Sequence, residues 1–410
     1  MSKDLRINVM PSIADIPAAA WDACANPTSA DDASVPPYNP FISHAFLSAL
    51  EASGSAVART GWAPQHLAAE DASGRTVGVV PCYLKSHSRG EYVFDRGWAE
   101  AFERAGGDYY PKVQVSVPFT PATGRRLLAA PGARSDDIQA GLAQGLVELC
   151  GLREASSAHV TFMPEREWNV LAERGFLKRT DQQFHWENAG YGTFDDFLGA
   201  LASRKRKVLR RERRDALENG ITVEWLTGSD LTEAVWDAFF VFYMETGSRK
   251  WGRPYLTRTF YSLVGETMAD RILLVMAKRA GRYIAGAINF IGGETLFGRH
   301  WGAIEHHPFL HFEICYYQAI DFAIAKKLRR VEAGAQGEHK LARGYMPTTT
   351  YSAHYIENPS LRRAIADYLV RERAYVDAAG RELGELAPFR KDQASEIGDQ
   401  ESEIVYTDRD

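Results

Sequence analysis

The sequence predicts an α/β (α+β) protein assembled from two tandem copies of one module. Residues 174–186 read RGFLKRTDQQFHW and residues 343–355 read RGYMPTTTYSAHY. Arg-Gly-aromatic opens both, and a His-aromatic pair follows at the same distance, from Gly175 to His185 and from Gly344 to His354. Each copy follows an apolar strand-like run and a short helical segment. A weaker echo sets Gly74-Arg75-Thr76-Val77-Gly78 against Gly281-Arg282-Tyr283-Ile284-Ala285-Gly286. A repeat this long indicates a duplicated α/β module, not a small-unit solenoid. The length of 410 residues suits two or three domains. The expected division is 1–190, with an aromatic insertion at 86–118, then 191–380, then a polar acidic tail at 381–410.

Taken in order, the first module opens with a short strand, a helix around Ala18 to Ala25 and a Pro-rich loop ending Val35-Pro36-Pro37. Phe41 to Ala52 carries Phe41, Ala45, Phe46 and Leu50 on one helical stripe. His66 to Ala69 and Val77 to Lys85 make a hairpin through Asp71-Ala72-Ser73-Gly74. A helix from about Asp136 to Cys150 precedes a strand (His159 to Met163), a helix (Glu165 to Arg174) and a strand (Arg179 to Glu187). Gly190 to Thr193 is the expected junction.

In the second module Thr193 is placed to cap a helix with Asp195 and Asp196 in its first turn. That helix is expected to run through Leu217 and close at Asn219-Gly220. A strand (Ile221 to Leu226) and helices at Leu231 to Thr246 and Thr257 to Met268 follow. Strands are expected at Arg271 to Lys278, Tyr283 to Phe290 and Thr295 to Ile304, and a helix at Leu310 to Leu328. Strand Arg330 to Gly334 leads into the repeated ending, and a last helix covers Pro359 to Ala379.

Composition narrows the function classes. A net charge of −5 argues against general affinity for nucleic acid or membrane, so any such contact is local. Cys24, Cys82, Cys150 and Cys315 form no CxxC pair, which suits a reducing compartment. The start MSKDLRINVM lacks an apolar core for a signal peptide, and no window approaches the roughly 18 apolar residues of a membrane span. A cytoplasmic protein without a membrane span is expected.

Strand, strand, strand, helix, strand, helix, strand is the order of the GNAT acyltransferase fold, and both halves show it. Tandem GNAT modules are typical of Fem-type aminoacyltransferases, which this chain resembles at Ser203 to Arg211, Gly220 to Val223 and Phe239 to Thr246. It is also similar to the bacterial family called peptidoglycan biosynthesis/recognition, a Fem-like branch. The shared segments are GEYVFDRGWAEAF (Gly90 to Phe102), YYPKVQ (Tyr109 to Gln114), PFTPATGRRLL (Pro118 to Leu128), LHFEICYYQ (Leu310 to Gln318) and VEAGAQGEHKLARGYMP (Val331 to Pro347). The resemblance implies two GNAT-like modules, each a mixed, mostly antiparallel sheet flanked by helices. It implies transfer of an acyl or aminoacyl group to an amine, with no resident cofactor and a donor that is either aminoacyl-tRNA or acyl-CoA.

Acyl transfer to an amine needs a deprotonated amine, a donor carbonyl in reach and stabilisation of the oxyanion. The densest polar cluster is Glu332, Gln336, Glu338, His339, Lys340 and Arg343, with Gly334 and Gly337 permitting a tight turn. Glu338 or His339 is the candidate general base, and Lys340 or Arg343 the cation that holds an anionic group. The plainer alternative is a charged loop whose ions only pair with one another.

His300, Trp301, Glu305, His306, His307, His311 and Glu313 form a second cluster. His311 and Glu313 are reserve catalytic candidates, and Trp301 is a candidate substrate contact. His307 and His311 have a spacing that can serve zinc, but Pro308 intervenes and HExxH is absent, so no metal is assigned. The GNAT pyrophosphate loop is missing before Leu310, which puts acetyl-CoA in doubt. In the first module Pro118 to Arg126 fills the equivalent place, so Phe119, Thr123, Gly124 and Arg125 are candidates for an anion.

Eight of the twelve residues from Ser203 to Arg214 are Lys or Arg. Arg206, Arg210 and Arg211 are candidate contacts to phosphate, including tRNA, against the alternative of a solvated helix face. A helix that starts afresh at Ser203 would place cations against its own dipole, and a bound anion would offset that. In the insertion, Tyr110 and Lys112 are candidate walls of a pocket for a small-molecule amine acceptor. Three classes stay open: a Fem-like transferase, a CoA-dependent N-acyltransferase, and a binder of precursor or nucleic acid without catalysis.

Overall fold

The computed structural model describes residues 5–28, 35–251, 254–335 and 337–390. Fifteen strands build two sheets among these residues. The smaller holds β1 (Arg6–Met10), β3 (His66–Glu70), β4 (Thr76–Val80) and β7 (Leu128–Ala129), all antiparallel. The larger has eleven strands. Its first-half members are β2 (Trp62–Pro64), β5 (Cys82–Lys85), β6 (Lys112–Val115), β8 (Ser157–Met163) and β9 (Leu177–Glu187). Its second-half members are β10 (Ile221–Leu226), β11 (Ile272–Arg279), β12 (Arg282–Ile291), β13 (Thr295–Ala303), β14 (Arg330–Glu332) and β15 (Met346–Ile356). Only β13–β14 and β6–β8 pair in parallel. Helices flank both sheets, so the class is the mixed, mostly antiparallel α/β one that the sequence predicts.

The order β10-β11-β12-β13-β14-β9-β15-β8-β6-β5-β2 contains an exchange. β9 ends the first half yet pairs with β14 of the second, and β15 ends the second half yet pairs with β8 of the first. β9 and β15 pair with each other in antiparallel register, with Asp181 opposite Thr350, its counterpart in the sequence repeat. A local two-fold axis therefore passes through that pair. His185 lies opposite Glu332 and its repeat partner His354 opposite His159. Halves divided near residue 190 thus share one continuous sheet.

The core locks the halves together as well. Phe41, from the first half, sits 5.1 Å from Phe290 and 5.2 Å from Phe297, ring centre to ring centre. Burying each such side chain contributes about 1.5–3 kcal/mol.

Four elements differ from expectation for local reasons. Residues 41–52 split into a 3-10 turn, Pro40–Ile42, and a helix, His44–Ala52, because the Ser43 hydroxyl caps Phe46 N–H at 3.2 Å. The helix expected through Leu217 is two helices, Phe194–Ala200 and Ser203–Ala216. Thr193 does cap the first, in a reciprocal box with Asp196. The break comes at Leu201, extended and buried, and at Ala202, whose N–H donates to Pro388 O at 2.9 Å. The helix from Leu310 carries a π turn at Glu313–Tyr317. The last helix runs beyond Ala379 to Glu385, and Phe389 then bridges back to Leu201, so the expected tail boundary at 381 falls inside ordered structure. Residues 391–410 lie outside the described ones.

Candidate active site between the diverging ends of two parallel strands

β13 and β14 pair over three residues, from Thr295 opposite Arg330 to Phe297 opposite Glu332, and then separate. On the other side of β13, Ala287 pairs with Trp301 and Asn289 with Gly298. Arg299 and His300 therefore face Ile288 alone, a bulge that bends the strand and re-aims its side chains. The divergence opens a cavity of about 610 Å³, within the usual size for a small-molecule site. Trp301, His311, Tyr316, His339 and Lys340 line it from the second half, and Tyr92 and Gln183 from the first.

The chain beyond Glu332 turns through Ala333 and Gly334 into a 3-10 turn, Glu338–Arg343. Gly337 enters that turn at φ +110°, and a Cβ there would lie 2.2 Å from His339 Cε1. Glycine is thus what lets the imidazole sit over the turn. His339 Nε2 lies 3.0 Å from Tyr316 Oη. Burial, and then the charges of Arg343 and Lys340, hold the His339 imidazolium below its ordinary pKa, so the ring is neutral at pH 7. Burial also raises the Tyr316 phenol, which keeps its proton.

Lys340 Nζ donates to the carbonyls of Ala333 and, at 3.0 Å, of Gly334. Burial lowers its pKa to about 8, so it is poised between charged and neutral. Arg343 is committed elsewhere: its guanidinium grips both Glu212 oxygens at 2.8 Å, donates to His339 O at 2.6 Å and stacks 3.4 Å from the Phe312 ring. It braces the turn and does not line the cavity. Gln336 and the side chain of Glu338 lie outside the described residues.

Glu332 stands behind the cavity wall. It accepts from Thr123 N–H at 3.1 Å and from the Thr123 hydroxyl, and His185 Nε2 is 4.0 Å away. Burial raises its carboxyl to about 7. Its role is to tie the Pro118–Arg126 loop to β14.

His311 reaches the cavity, 5.0 Å from Trp301 and 6.3 Å from His339 between ring centres. Glu313 does not. It is wholly buried and accepts from Arg213 at 2.8 Å and Gln318 at 2.7 Å, because the π turn rotates it toward the basic helix. His307 pairs with Glu305 at 2.9 Å, away from His311's cavity. Among the described residues no group of three His, Cys, Asp or Glu is placed to hold a metal.

The basic helix does start afresh at Ser203, and no side chain caps it. Two expected phosphate contacts are paired within the protein: Arg210 with Asp195 at 2.9 Å and Arg211 with Asp215 at 3.1 Å. Arg206 donates to Leu201 O at 3.3 Å. Arg204, Lys205 and Lys207, in the first turn and just after it, form no ion pair among the described residues. Arg204 and Lys205 line a second cavity of about 360 Å³ together with Arg343 and Glu212.

The first-half candidates are spent on structure. Arg125 donates to Cys24 O at 3.0 Å and Ala25 O at 2.6 Å, closing a helix end rather than holding an anion. Thr123 serves Glu332, and Gly124 N–H donates to Phe162 O at 3.0 Å. Lys112 is buried against Asp95 at 2.5 Å and Ser88 at 2.8 Å, and Tyr110 meets Ser88 at 2.8 Å. Phe119 stacks on Tyr255 at 4.7 Å. Desolvation explains the pattern: cations this deep persist only with partners.

Sequence reasoning missed Tyr316, Asn289, Arg299 and Tyr255. Tyr316 stands in LHFEICYYQ, one of the family-like segments. The others depend on the bulge and on the fold of the insertion, neither of which has a one-dimensional signature.

A family model described as FemAB-like, peptidoglycan biosynthesis/recognition, matches residues 12–391. Among solved structures, FemX superposes with a TM-score of 0.54 at 13% identity, covering 86% of this chain and 98% of that one. The C-terminal domain of a putative lysylphosphatidylglycerol synthetase from Agrobacterium fabrum gives 0.49 at 10% identity over 86% and 94%. A tandem GNAT protein from the clavulanic acid biosynthesis pathway gives 0.43 at 14% identity over 87% and 99%. At such identities the likeness to FemX is one of fold. No curated protein matches the chain.

Proposed function

This chain belongs to the FemAB-like family of peptidoglycan biosynthesis and recognition, and from that premise and the geometry of the cavity we propose that it transfers an acyl or aminoacyl group to an amine. One observation supports this most: a neutral imidazole, hydrogen-bonded to a tyrosine at 3.0 Å, shares a cavity wall with a buried lysine. His339 takes the proton of the attacking amine. Tyr316 orients the ring and relays that proton to the ribose oxygen or CoA sulfur that leaves as the donor's ester or thioester bond breaks. Lys340, charged at pH 7, offsets the negative charge that develops on the donor carbonyl oxygen. His311 and Trp301 wall the acceptor.

The donor in this proposal carries phosphate, as aminoacyl-tRNA or acyl-CoA does. Arg204, Lys205 and Lys207 receive it, since the cations further along the helix are already paired.

The test is a transfer assay by mass spectrometry with each donor class and a panel of amines. General-base help is worth about 10²–10⁴-fold, so His339→Ala should lower turnover by at least tenfold while leaving donor binding unchanged. The wild-type rate should fall as pH drops below the ordinary histidine value of about 6.5, with a midpoint under it. Unchanged turnover in His339→Ala would remove it as the base.

A further inference from the structure

The wall of the cavity also holds a cation that the transfer chemistry does not use. Arg299 lines the cavity beside Asn289, His300, Tyr243 and Tyr255. The β13 bulge aims it there. Its guanidinium donates to Phe119 O and hydrogen-bonds the Tyr92 phenol, and the phenols of Tyr243 and Tyr261 and the imidazole of His300 stand near it. Burial holds the Tyr243 and Tyr261 phenols up, so both stay neutral at pH 7. His300 is kept neutral by burial and by Arg299 itself. Among the described residues no carboxylate forms an ion pair with Arg299. Among the described residues the one acidic side chain on the cavity wall, Asp181, is exposed.

A guanidinium drawn partly out of water without a counter-ion is costly, and at three other arginines of this protein that cost is met by carboxylates or by several carbonyls. Arg213 has Glu313 and Asp321, and Arg343 has Glu212. Arg126 donates to the carbonyls of Thr161, Gly124, Arg125 and Ala122. Arg299 has one carbonyl, the Tyr92 phenol and a cavity.

We propose that Arg299 is a carboxylate-binding site, and that the molecule occupying the cavity carries a carboxylate at this end and an apolar or ring-shaped body against Tyr255 and Trp301. A single guanidinium matches one negative charge, which favours carboxylate over a phosphate dianion. The Asn289 amide, almost wholly buried on the same wall, donates to Leu273 O at 3.4 Å and has a second N–H beside it. Calling this molecule the amine acceptor rests on the transferase reading; the carboxylate site itself does not. On that reading the amine lies at the His339 end and the carboxylate at the Arg299 end.

Calorimetric titration of the full chain with hydrocinnamate, hydrocinnamamide and phenyl phosphate tests this without any turnover. The acid should bind at least tenfold more tightly than its amide, as expected for hydrogen bonds to a charged group. Arg299→Gln should abolish that preference while leaving the affinity for the amide within about threefold, a sign that the cavity is intact. Arg299→Lys, which keeps the charge and loses the fork, should retain part of it and covers the case in which the glutamine variant does not fold. Equal affinity for acid and amide in the wild type, no measurable binding of the acid, tighter binding of phenyl phosphate, or a preference that survives in Arg299→Gln would each overturn the proposal. Because binding is read directly, it can fail while transfer activity stands, and the reverse.

Discussion

The ends of β14 and β8 occupy the same place in the two halves, and their fates differ. Glu332 pairs with His185, and His159 with His354, the corresponding histidine of the repeat. Just beyond each lies a cation bound to backbone carbonyls. At the end of β14 it is Lys340, on Ala333 and Gly334. At the end of β8 it is Arg126, on Thr161, Gly124, Arg125 and Ala122. Glu167 then seals the first-half end by accepting the N–H groups of Arg126 and Leu127 at 2.7 and 3.1 Å. Among the described residues no such seal covers Lys340, which faces the cavity. A duplicated scaffold has thus used its donors on itself at one end and left the other incompletely satisfied. Incomplete satisfaction costs stability and is what binding and catalysis require.

The comparison would break first on stability. Replacing Arg126 by Met strips several buried carbonyls of their donor and removes one of the two arginine charges acting on Glu167, so urea unfolding should show a loss of about 3–5 kcal/mol. Lys340→Met should change stability by less than about 1 kcal/mol at pH 7, since the lysine's burial already disfavours its charged form, while transfer falls at least tenfold. The sign of the pH effect follows from its pKa of about 8 against an ordinary 10.5. The folded state binds fewer protons between those values, so wild type should gain on Lys340→Met as pH rises through that window. Equal losses in the two variants would mean that the two ends are both structural.

Much of this contrast was legible in the sequence, and part was not. The repeat identified the duplication because β9 and β15 must match each other across the axis. The Gly334–Arg343 loop stood out because glycines bracket an imidazole and two cations. The sequence could not say that Arg343 and Glu313 turn inward, since their partners Glu212 and Arg213 sit about a hundred or more positions away in a helix read only as basic. Nor could it show that Arg125 closes a helix end, because hydroxyls and arginines look alike whether they face a ligand or a carbonyl. The break at Leu201 has no local signal, because its cause, the bridge to Phe389, lies far along the chain.

A second test sharpens the role of Glu332. Its carboxyl is raised to about 7 by burial, against an ordinary 4.5. The folded state therefore holds a proton that the unfolded chain releases. The stability this proton confers is fully present below about 4.5 and lost as pH rises through 7. Glu332→Gln keeps a hydrogen-bonding amide and cannot ionise. Relative to wild type it should gain up to about 3 kcal/mol between pH 4.5 and 8, from 1.36 kcal/mol per pKa unit. A pH-independent difference would show that Thr123 and His185 hold the carboxylate ionised throughout.

The smallest effects separate the two ends of the basic helix. Arg210 and Asp195 are both well exposed, as is Arg211, so these pairs contribute little and Arg210→Ala or Arg211→Ala should shift stability by under about 0.5 kcal/mol. Binding of a phosphate-rich donor should also change little, because Arg210 is paired with Asp195 and Arg211 with Asp215, which it shares with Arg214. Arg204→Ala and Lys207→Ala remove cations without ion-pair partners among the described residues, so stability should be equally indifferent. Donor affinity should nonetheless drop, and the slope of log K against log salt should become shallower by about one for each phosphate no longer neutralised. The measurement is a salt series of binding isotherms for wild type and the four variants, with tRNA as the probe. If Arg210→Ala flattens the salt dependence as much as Arg204→Ala does, the internal pairing seen along the helix does not decide which cations meet the ligand, and the whole stripe acts as one field.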